Sequence, residues 1–185
     1  PRMSCGKVDL GCRACGLSGS RTRVVRGAGD CRSPIVFIGE APGADEDERG
    51  EPFVGRAGKV LTDGIERAGA HRGDVYITNL VKCRPPGNRR PKKEEIEACA
   101  DNLASELLEI RPTVVVALGL SVAKGLFGMD GKMADIAGRW RDAEAHGLRF
   151  KLMVTYHPAG VIYDRGALPR FREDVRAALS EAGLV

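Results

Sequence analysis

The chain lacks the long apolar segments of a membrane protein. A bilayer span needs about 20 apolar residues, but the longest apolar run, Val114–Leu118, ends at Gly119. The first ten residues carry both charge signs and lack the apolar core of a signal peptide. There is no internal repeat, no low-complexity linker and no collagen-like period among the 24 glycines. We therefore expect the 185 residues to form one compact cytoplasmic domain.

The charges are distributed unevenly along the chain, although the net charge is only +4. Residues 45–51 contain five acidic side chains, and two basic segments flank them: Arg21, Arg23, Arg26 and Arg32 before, and Lys82, Arg84, Arg89, Arg90, Lys92 and Lys93 after. A single charge run is usually a solvated surface. Two basic segments beside an acidic turn are more typical of a polyanion-binding surface around an acidic site.

The six cysteines do not suggest a disulfide framework, because the chain has the features of an intracellular protein. Cys12 and Cys15 form a C-x2-C pair, which can direct two thiolates to one metal or cluster. Cys83 and Cys99 bracket the second basic segment and the start of a predicted helix. From spacing alone, a zinc site, an iron–sulfur cluster and unligated core cysteines all remain open.

Hydrophobic periodicity predicts alternating strands and helices. The predicted strands are Ile35–Ile38, a segment through Val75 and Ile77 that ends at Asn79, Thr113–Leu118 and Leu152–Thr155. Helices are predicted to end at Gly69 and to begin at Pro91, Ser121 and Pro169. We expect a single-domain three-layer α/β/α fold with a central, mostly parallel four-stranded sheet. Residues around Trp140–Gly147 could form a hairpin, and residues 1–33 are expected to need a metal or cluster to hold them.

Distinctive polar residues follow three of the predicted strands. Residues 39–43 (Gly-Glu-Ala-Pro-Gly) follow the first strand, Asn79 ends the second, and His157 follows the fourth. In open α/β sheets the ligand crevice lies beyond the carboxyl ends of the strands. The pattern therefore predicts an active site at this edge of the sheet.

Several motifs together resemble one enzyme family. These are GEAPGADED at 39–47, GEPFVGRAG at 50–58, TNLVKCRPPGNR at 78–89, the cysteine at 99 and YHPA at 156–159. In this order they resemble the family 4 uracil-DNA glycosylases, the iron–sulfur branch of the uracil-DNA glycosylase superfamily. The resemblance implies one such domain over residues 1–185, with residues 1–33 as a cluster-stabilised N-terminal segment. It also implies a monomer acting on uracil-containing DNA, single- or double-stranded, and association with the nucleoid.

The resemblance implies roles for the polar residues at the strand ends. Phe53 would stack on uracil, and the Asn79 amide would pair with its O4 and N3–H, with Glu40 and Ala41 completing the uracil site. His157 would donate towards O2 as the glycosidic bond breaks. Without the family, a core phenylalanine, a turn asparagine and a structural histidine are the plain alternatives.

Activation of the attacking water is assigned less directly. Other branches carry an aspartate at the position of Ala41, so Glu40, Glu46 and Asn88 are the catalytic candidates here.

The family's four cysteine ligands correspond to Cys12, Cys15, Cys83 and Cys99, which implies a [4Fe–4S] cluster with a structural role. Cys5 and Cys31 have no counterpart and are expected to be free thiols. Predicted DNA contacts are Arg84, Arg89 and Arg90 on phosphates, with Val161 and Ile162 inserted into the base stack. Tyr163 stands where the family commonly has an arginine. Gly119-Leu120-Ser121 is either a phosphate-binding helix start or a plain turn.

We therefore predict a monofunctional hydrolase that flips uracil out of DNA, excises it without a divalent metal and leaves an abasic site. One alternative is a catalytically weak iron–sulfur DNA-binding module of the same fold. Another is a metal-dependent phosphohydrolase using Glu40, Glu46 and Asp47. A covalent uracil trap is not expected, because residues 84–91 contain no histidine and no insertion.

Overall fold

The computed structural model of the protein describes residues 5–185, so residues 1–4 of the predicted N-terminal segment lie outside the described part. Six strands form one sheet. In chain order they are β1 (Ala28–Gly29), β2 (Ile35–Gly39), β3 (Tyr76–Asn79), β4 (Val114–Leu118), β5 (Trp140–Ala145) and β6 (Leu148–Thr155).

The sheet is mixed rather than four-stranded. Its order is β1-β3-β2-β4-β6-β5. The four predicted strands form the parallel centre, and β1 and β5 add antiparallel edges. The four-stranded expectation left out β1, which has two residues, and β5, which is only half-buried on one face. The hairpin predicted near Trp140 is confirmed as β5–β6, which turns at His146 and Gly147, both with positive φ.

Within the described residues 5–185, seven α-helices pack around the sheet: α1 (Ala44–Arg49), α2 (Arg56–Ala68), α3 (Lys93–Ile110), α4 (Leu120–Phe127), α5 (Met133–Ile136), α6 (Pro158–Tyr163) and α7 (Leu168–Glu181). The four predicted helices correspond to α2, α3, α4 and α7, with the start of α3 two residues later than expected. Most of the acidic segment is not a turn but α1, with Asp45, Glu46 and Asp47 in its first turn, where the helix dipole favours negative charge.

The core lies on both faces of the sheet. Side chains alternate along β2, so Ile35 and Phe37 pack on the face with α2 and α7, and Val36 and Ile38 pack on the face with α3. This confirms the predicted three-layer α/β/α domain. Among residues 5–185, no helix has the length and apolar character needed to span a bilayer.

The expectation that Cys5 and Cys31 are free thiols is wrong, since the two form a disulfide with their Cα atoms 5.5 Å apart. The N-terminal segment runs along α3, where the Gly6 N–H donates to Glu109 at 2.7 Å and the Asp9 N–H donates to Asn102 at 2.9 Å. This packing brings Cys5 beside the turn between β1 and β2. A separation of 26 residues in sequence gave no sign of it.

Candidate active site

One pocket of about 390 Å³ opens at the carboxyl ends of β2, β3, β4 and β6. The turns after these strands and the start of α1 line it. The pocket holds nine of the residues predicted for the site: Glu40, Ala41, Glu46, Phe53, Asn79, Asn88, Arg89, Arg90 and His157. Gly119, Leu120 and Ser121 also line it. Arg84, Val161 and Ile162 do not.

Asn79 places an unsatisfied amide in the pocket wall. Its side chain is 1% exposed, and its Oδ1 has no hydrogen-bond partner among the described residues. Leaving a buried polar atom unpaired costs about 1–3 kcal/mol, so such an atom at a pocket wall indicates a ligand. A β-carbon at Gly39 would collide with both the Asn79 oxygen and the Phe53 ring, so glycine is required where these two meet.

Phe53 is held in the pocket in an unusual backbone conformation. Its φ is 53°, in the left-handed region that non-glycine residues rarely adopt. The Glu46 carboxylate fixes this loop by accepting from the N–H groups of Val54 at 2.9 Å and Gly55 at 2.8 Å. Its other oxygen accepts from Gly43 at 3.0 Å. Both oxygens are therefore engaged, which supports a positioning role for Glu46 rather than the predicted catalytic one.

His157 lies at the start of α6 with a defined tautomer. Its Nδ1 accepts from the Ala159 N–H at 3.1 Å, so the neutral ring carries its proton on Nε2. Burial of the ring lowers its pKa to about 4, although the charge of Glu46 opposes the shift. The Phe53 and His157 rings are neighbours, with centroids 5.9 Å apart. At neutral pH His157 is an uncharged hydrogen-bond donor.

The remaining candidates for water activation differ in availability. Glu40 lines the pocket, and its side chain forms no hydrogen bond with another described residue. The Asn88 Oδ1 accepts from Arg84 Nε at 2.7 Å. Asp47 is buried and accepts from the N–H groups of Thr22 and Arg23. Asp47 and Glu46 are thus committed to backbone donors, which removes two of the three carboxylates that a phosphohydrolase would use.

The second basic segment is not a uniformly exposed surface. Lys82 is buried, contrary to its assignment to this surface. Arg89 forms a bidentate ion pair with Glu95, in which its two terminal nitrogens donate to the two carboxylate oxygens at 2.7 and 2.8 Å. The Arg89 guanidinium is the main reason that the pKa of Glu95 falls to about 2. Arg90 is exposed at the pocket mouth.

The predicted insertion of Val161 into DNA does not agree with the structure. Val161 is 3% exposed and packs in the core, because α6 lies against α2 and α7 and turns this position towards them. Ile162 is half-buried. Tyr163, at the end of α6, is 82% exposed.

A second cavity is lined by the four cysteines that are not in the disulfide: Cys12, Cys15, Cys83 and Cys99. Three N–H groups point at its sulfurs. The Lys82 N–H donates to Cys99 Sγ at 3.3 Å, Asn102 Nδ2 donates to the same sulfur at 3.8 Å, and Arg21 donates to Cys83 Sγ at 3.5 Å. Such donors suit thiolates, and they fit a metal or cluster bound here.

Burial dominates the titration of the two interior thiols. It raises the pKa of Cys83 to about 11, against the lowering effect of Arg21, and it also raises the pKa of Cys99. Within residues 5–185, no three cysteine, histidine, aspartate or glutamate side chains are arranged around a single metal ion.

Several parts of the site gave no signal in the sequence. Pro42, Pro85, Leu118 and Ala159 line the pocket, but apolar lining residues carry no signal in sequence. The buried side chain of Lys82 was indistinguishable from its exposed neighbours, and nothing in the sequence marked Glu106 as buried.

Comparison with known proteins identifies close relatives. The family described as the uracil DNA glycosylase superfamily matches residues 26–181. A type-4 uracil-DNA glycosylase from Archaeoglobus fulgidus is 43% identical over 94% of this chain and 87% of its own length. One from Pyrobaculum aerophilum is 42% identical, covering 89% and 86%, and one from Thermotoga maritima is 44% identical, covering 83% and 79%.

Proposed function

Since this chain belongs to the uracil-DNA glycosylase superfamily, in its type-4 branch, and excises uracil from DNA in repair, we propose that it does so as a monofunctional hydrolase through the pocket around Asn79. It leaves an abasic site and needs no divalent metal ion. The observation that carries this assignment is the buried, unpartnered Asn79 amide oxygen at the wall of a pocket that also holds an aromatic ring.

Uracil recognition follows from these groups. A flipped uracil stacks on Phe53, and the Asn79 amide accepts from N3–H and donates to O4. Cytosine presents an acceptor at N3 and an amine at C4, so both contacts would be mismatched. The Glu46 carboxylate holds the loop around Phe53, which keeps the Phe53 ring in a fixed position relative to the Asn79 amide. Ala41 at the pocket wall completes the uracil site.

Cleavage of the glycosidic bond places negative charge on the departing uracil. The neutral His157 ring donates from Nε2 to uracil O2, where that charge accumulates, and so stabilises the transition state. The ring needs no proton from solvent for this role. Its Nδ1 is already occupied by the Ala159 N–H, which fixes its orientation.

The attacking water is oriented by Glu40. Its carboxylate lies in the pocket without a protein partner, whereas Glu46 and Asn88 are engaged elsewhere. Because an oxocarbenium-like centre is a strong electrophile, positioning of the water contributes more than its deprotonation. Asn88 then has a supporting role, through its contact with Arg84.

The cysteine cavity holds a [4Fe–4S] cluster through Cys12, Cys15, Cys83 and Cys99. When bound, the cluster serves as a covalent cross-link between the N-terminal segment, the loop after β3 and α3. The N–H donors from Lys82, Asn102 and Arg21 stabilise the thiolates. The support for this assignment is that four free cysteines share one cavity.

DNA contacts surround the pocket mouth. Arg84, Arg89 and Arg90 contact phosphates, with Arg90 the most exposed of the three at the mouth. Ile162 and the exposed Tyr163 at the end of α6 fill the gap left by the flipped base, the tyrosine by stacking. The protein works as a monomer in the cytoplasm, at the nucleoid.

The test is excision from a labelled strand containing one uracil, in excess EDTA, followed by alkaline cleavage at abasic sites. Uracil-specific breaks that appear only after alkali support the proposal, with a thymine strand as control. Breaks before alkali would indicate a lyase, and activity only after magnesium is restored would indicate a phosphohydrolase. DNA binding without excision would favour the alternative of a catalytically weak binding module.

A further inference from the structure

A buried ion pair contacts the backbone of Asn79, a residue that lines the uracil pocket. Lys82 and Glu106 are 1% and 0% exposed in their side chains, and their charged atoms are 2.7 Å apart. The Lys82 ammonium has two further partners, the Thr78 hydroxyl at 2.6 Å and the backbone carbonyl of Asn79 at 2.8 Å. All three of its hydrogen-bonding positions are therefore filled.

Glu106 is equally well satisfied. Its Oε1 accepts from the Gly27 N–H at 2.6 Å and from the Tyr76 hydroxyl at 3.2 Å, and its Oε2 accepts from Thr78 at 2.7 Å as well as from Lys82. The carboxylate thus connects α3 to β3 and to the chain before β1. The neutral donors Gly27, Tyr76 and Thr78 already connect these elements to Glu106, so the charge of Lys82 is not needed for this connection.

Stability alone does not account for the pair. Desolvation of two charges costs about as much as their attraction returns, and apolar replacements of buried pairs are often neutral or stabilising. The pair does, however, fix one atom of functional interest. The ammonium holds the carbonyl of Asn79, the residue whose side-chain amide faces the pocket.

The same residue also reaches the cysteine cavity. The Lys82 backbone N–H donates to Cys99 Sγ at 3.3 Å, and Cys83 follows it in the chain. Residues 79–83 therefore pass from the uracil pocket to the cysteine cavity, and Lys82 contacts a residue of each site, Asn79 through its ammonium and Cys99 through its backbone N–H.

We propose that Lys82 is a positioning residue for uracil recognition: its buried ammonium fixes the backbone of Asn79, and thereby the orientation of the amide that reads the base. This inference rests on the proposed function of the pocket. It predicts that loss of the ammonium weakens binding of the base while binding of the DNA backbone is retained.

The decisive variant is Lys82→Met combined with Glu106→Gln. Glutamine keeps an acceptor for Gly27 and Tyr76, and methionine fills the volume of the lysine stem without a donor for Asn79. We expect inhibition by free uracil to weaken about tenfold and single-turnover excision to slow about 10- to 100-fold. Affinity for a duplex with a preformed abasic site should stay within about twofold, since those contacts lie outside the base pocket.

Two controls separate positioning from general loss of stability. Glu106→Gln alone removes the charge pair but leaves the donor to Asn79, and its loss of free-uracil affinity should be at least about fivefold smaller than that of the double variant. Leu179 on α7 is fully buried and does not line the pocket. Leu179→Ala opens a cavity in the hydrophobic core and should lower the melting temperature without changing excision.

The outcomes are distinct. A folded double variant with wild-type affinity for free uracil overturns the proposal, as does an equal loss in Glu106→Gln or in Leu179→Ala.

If the double variant does not fold, Thr78→Val removes one of the three oxygens around the ammonium without changing side-chain volume. A loss of about threefold or more in its free-uracil affinity then supports the proposal, and wild-type affinity overturns it. Failure of the proposed function would instead appear as a wild-type protein that excises no uracil.

Discussion

Asn79 of the uracil pocket and Cys83 of the cysteine cavity are separated by only three residues, 80–82, but the two sites are built in different ways. Parallel strands of the sheet carry the pocket, and Glu40, Asn79 and His157 end or directly follow those strands. The cavity instead gathers cysteines from the N-terminal segment, from the loop after β3 and from α3. The sheet positions the groups at its strand ends, whereas we expect the cavity to depend on the group that the cysteines bind. Substitutions in the pocket should therefore change the rate of uracil excision, and substitutions in the cavity should change the stability of the folded protein.

The largest effect is expected from Cys83→Ser. Loss of one of its proposed ligands should release the proposed cluster and cost several kcal/mol, because binding of a structural metal group contributes directly to folding. We expect most of the protein to be insoluble or colourless, as measured by soluble yield, iron content and visible absorbance. A stable, colourless and fully active Cys83→Ser protein would refute the structural role of the cluster.

His157→Ala should slow excision about 100- to 1000-fold, the usual effect of removing one donor to a developing oxyanion. Single-turnover kinetics on a uracil duplex measure it. The matched control is His146→Asn in the β5–β6 turn. His146 has a positive φ, a backbone conformation that asparagine tolerates. Equal losses in the two variants would contradict the assignment of His157.

The pH dependence provides a separate test of His157. Because its pKa is lowered to about 4, the ring stays neutral down to about pH 5, and the rate should show no acid limb near pH 6.5. The unfolded chain takes up this proton at about pH 6.5. His157 should therefore reduce stability progressively as the pH falls from about 6.5 to 4, with no further change below.

Cys31→Ser tests whether the disulfide acts on stability alone. Opening a loop of this length should cost about 3.5 kcal/mol in the chain-entropy description. Thermal unfolding with and without reductant measures the loss, and wild-type protein under strong reductant should resemble the variant. The rate of excision should not change, because the bond is remote from the pocket lining. A slower variant would show that the N-terminal segment influences the pocket.

Asn79→Ala should reduce kcat/KM by about 10- to 100-fold, which corresponds to well-placed hydrogen bonds worth 1–3 kcal/mol. Its stability should change little, since the Oδ1 atom has no partner to lose in the free protein. Excision assays and thermal unfolding on the same preparation measure both. A large loss of stability with intact uracil specificity would mean that the amide is structural.

The smallest effect is expected for Tyr163→Ala. Loss of an exposed stacking ring should weaken binding to an abasic-site duplex by up to about tenfold. Tyr163→Phe keeps the ring and should bind as the wild type does. If alanine and phenylalanine behave alike in a fluorescence binding assay, Tyr163 does not stack on the DNA.

Much of the site could be predicted because its residues occupy positions that the chain itself marks. Gly39, Asn79 and His157 end or follow apolar strands, and parallel strands bring such positions to one edge. Edge strands gave weaker signals because β1 is short and β5 lies partly in solvent. The predicted insertion of Val161 into DNA was wrong because no sequence feature of this apolar residue distinguishes exposure in a loop from burial in α6.

The sequence by itself determined the family, the α/β alternation and the identity of the residues at the strand ends, since these depend on local pattern and on motifs. Only the tertiary structure decided how each charge is used. Glu46 and Asp47 are committed to backbone N–H groups, Lys82 is buried against Glu106, and Cys5 is bonded to Cys31. The reason is physical: the partner and solvent exposure of a side chain depend on segments distant in sequence, which meet only when the sheet and helices pack.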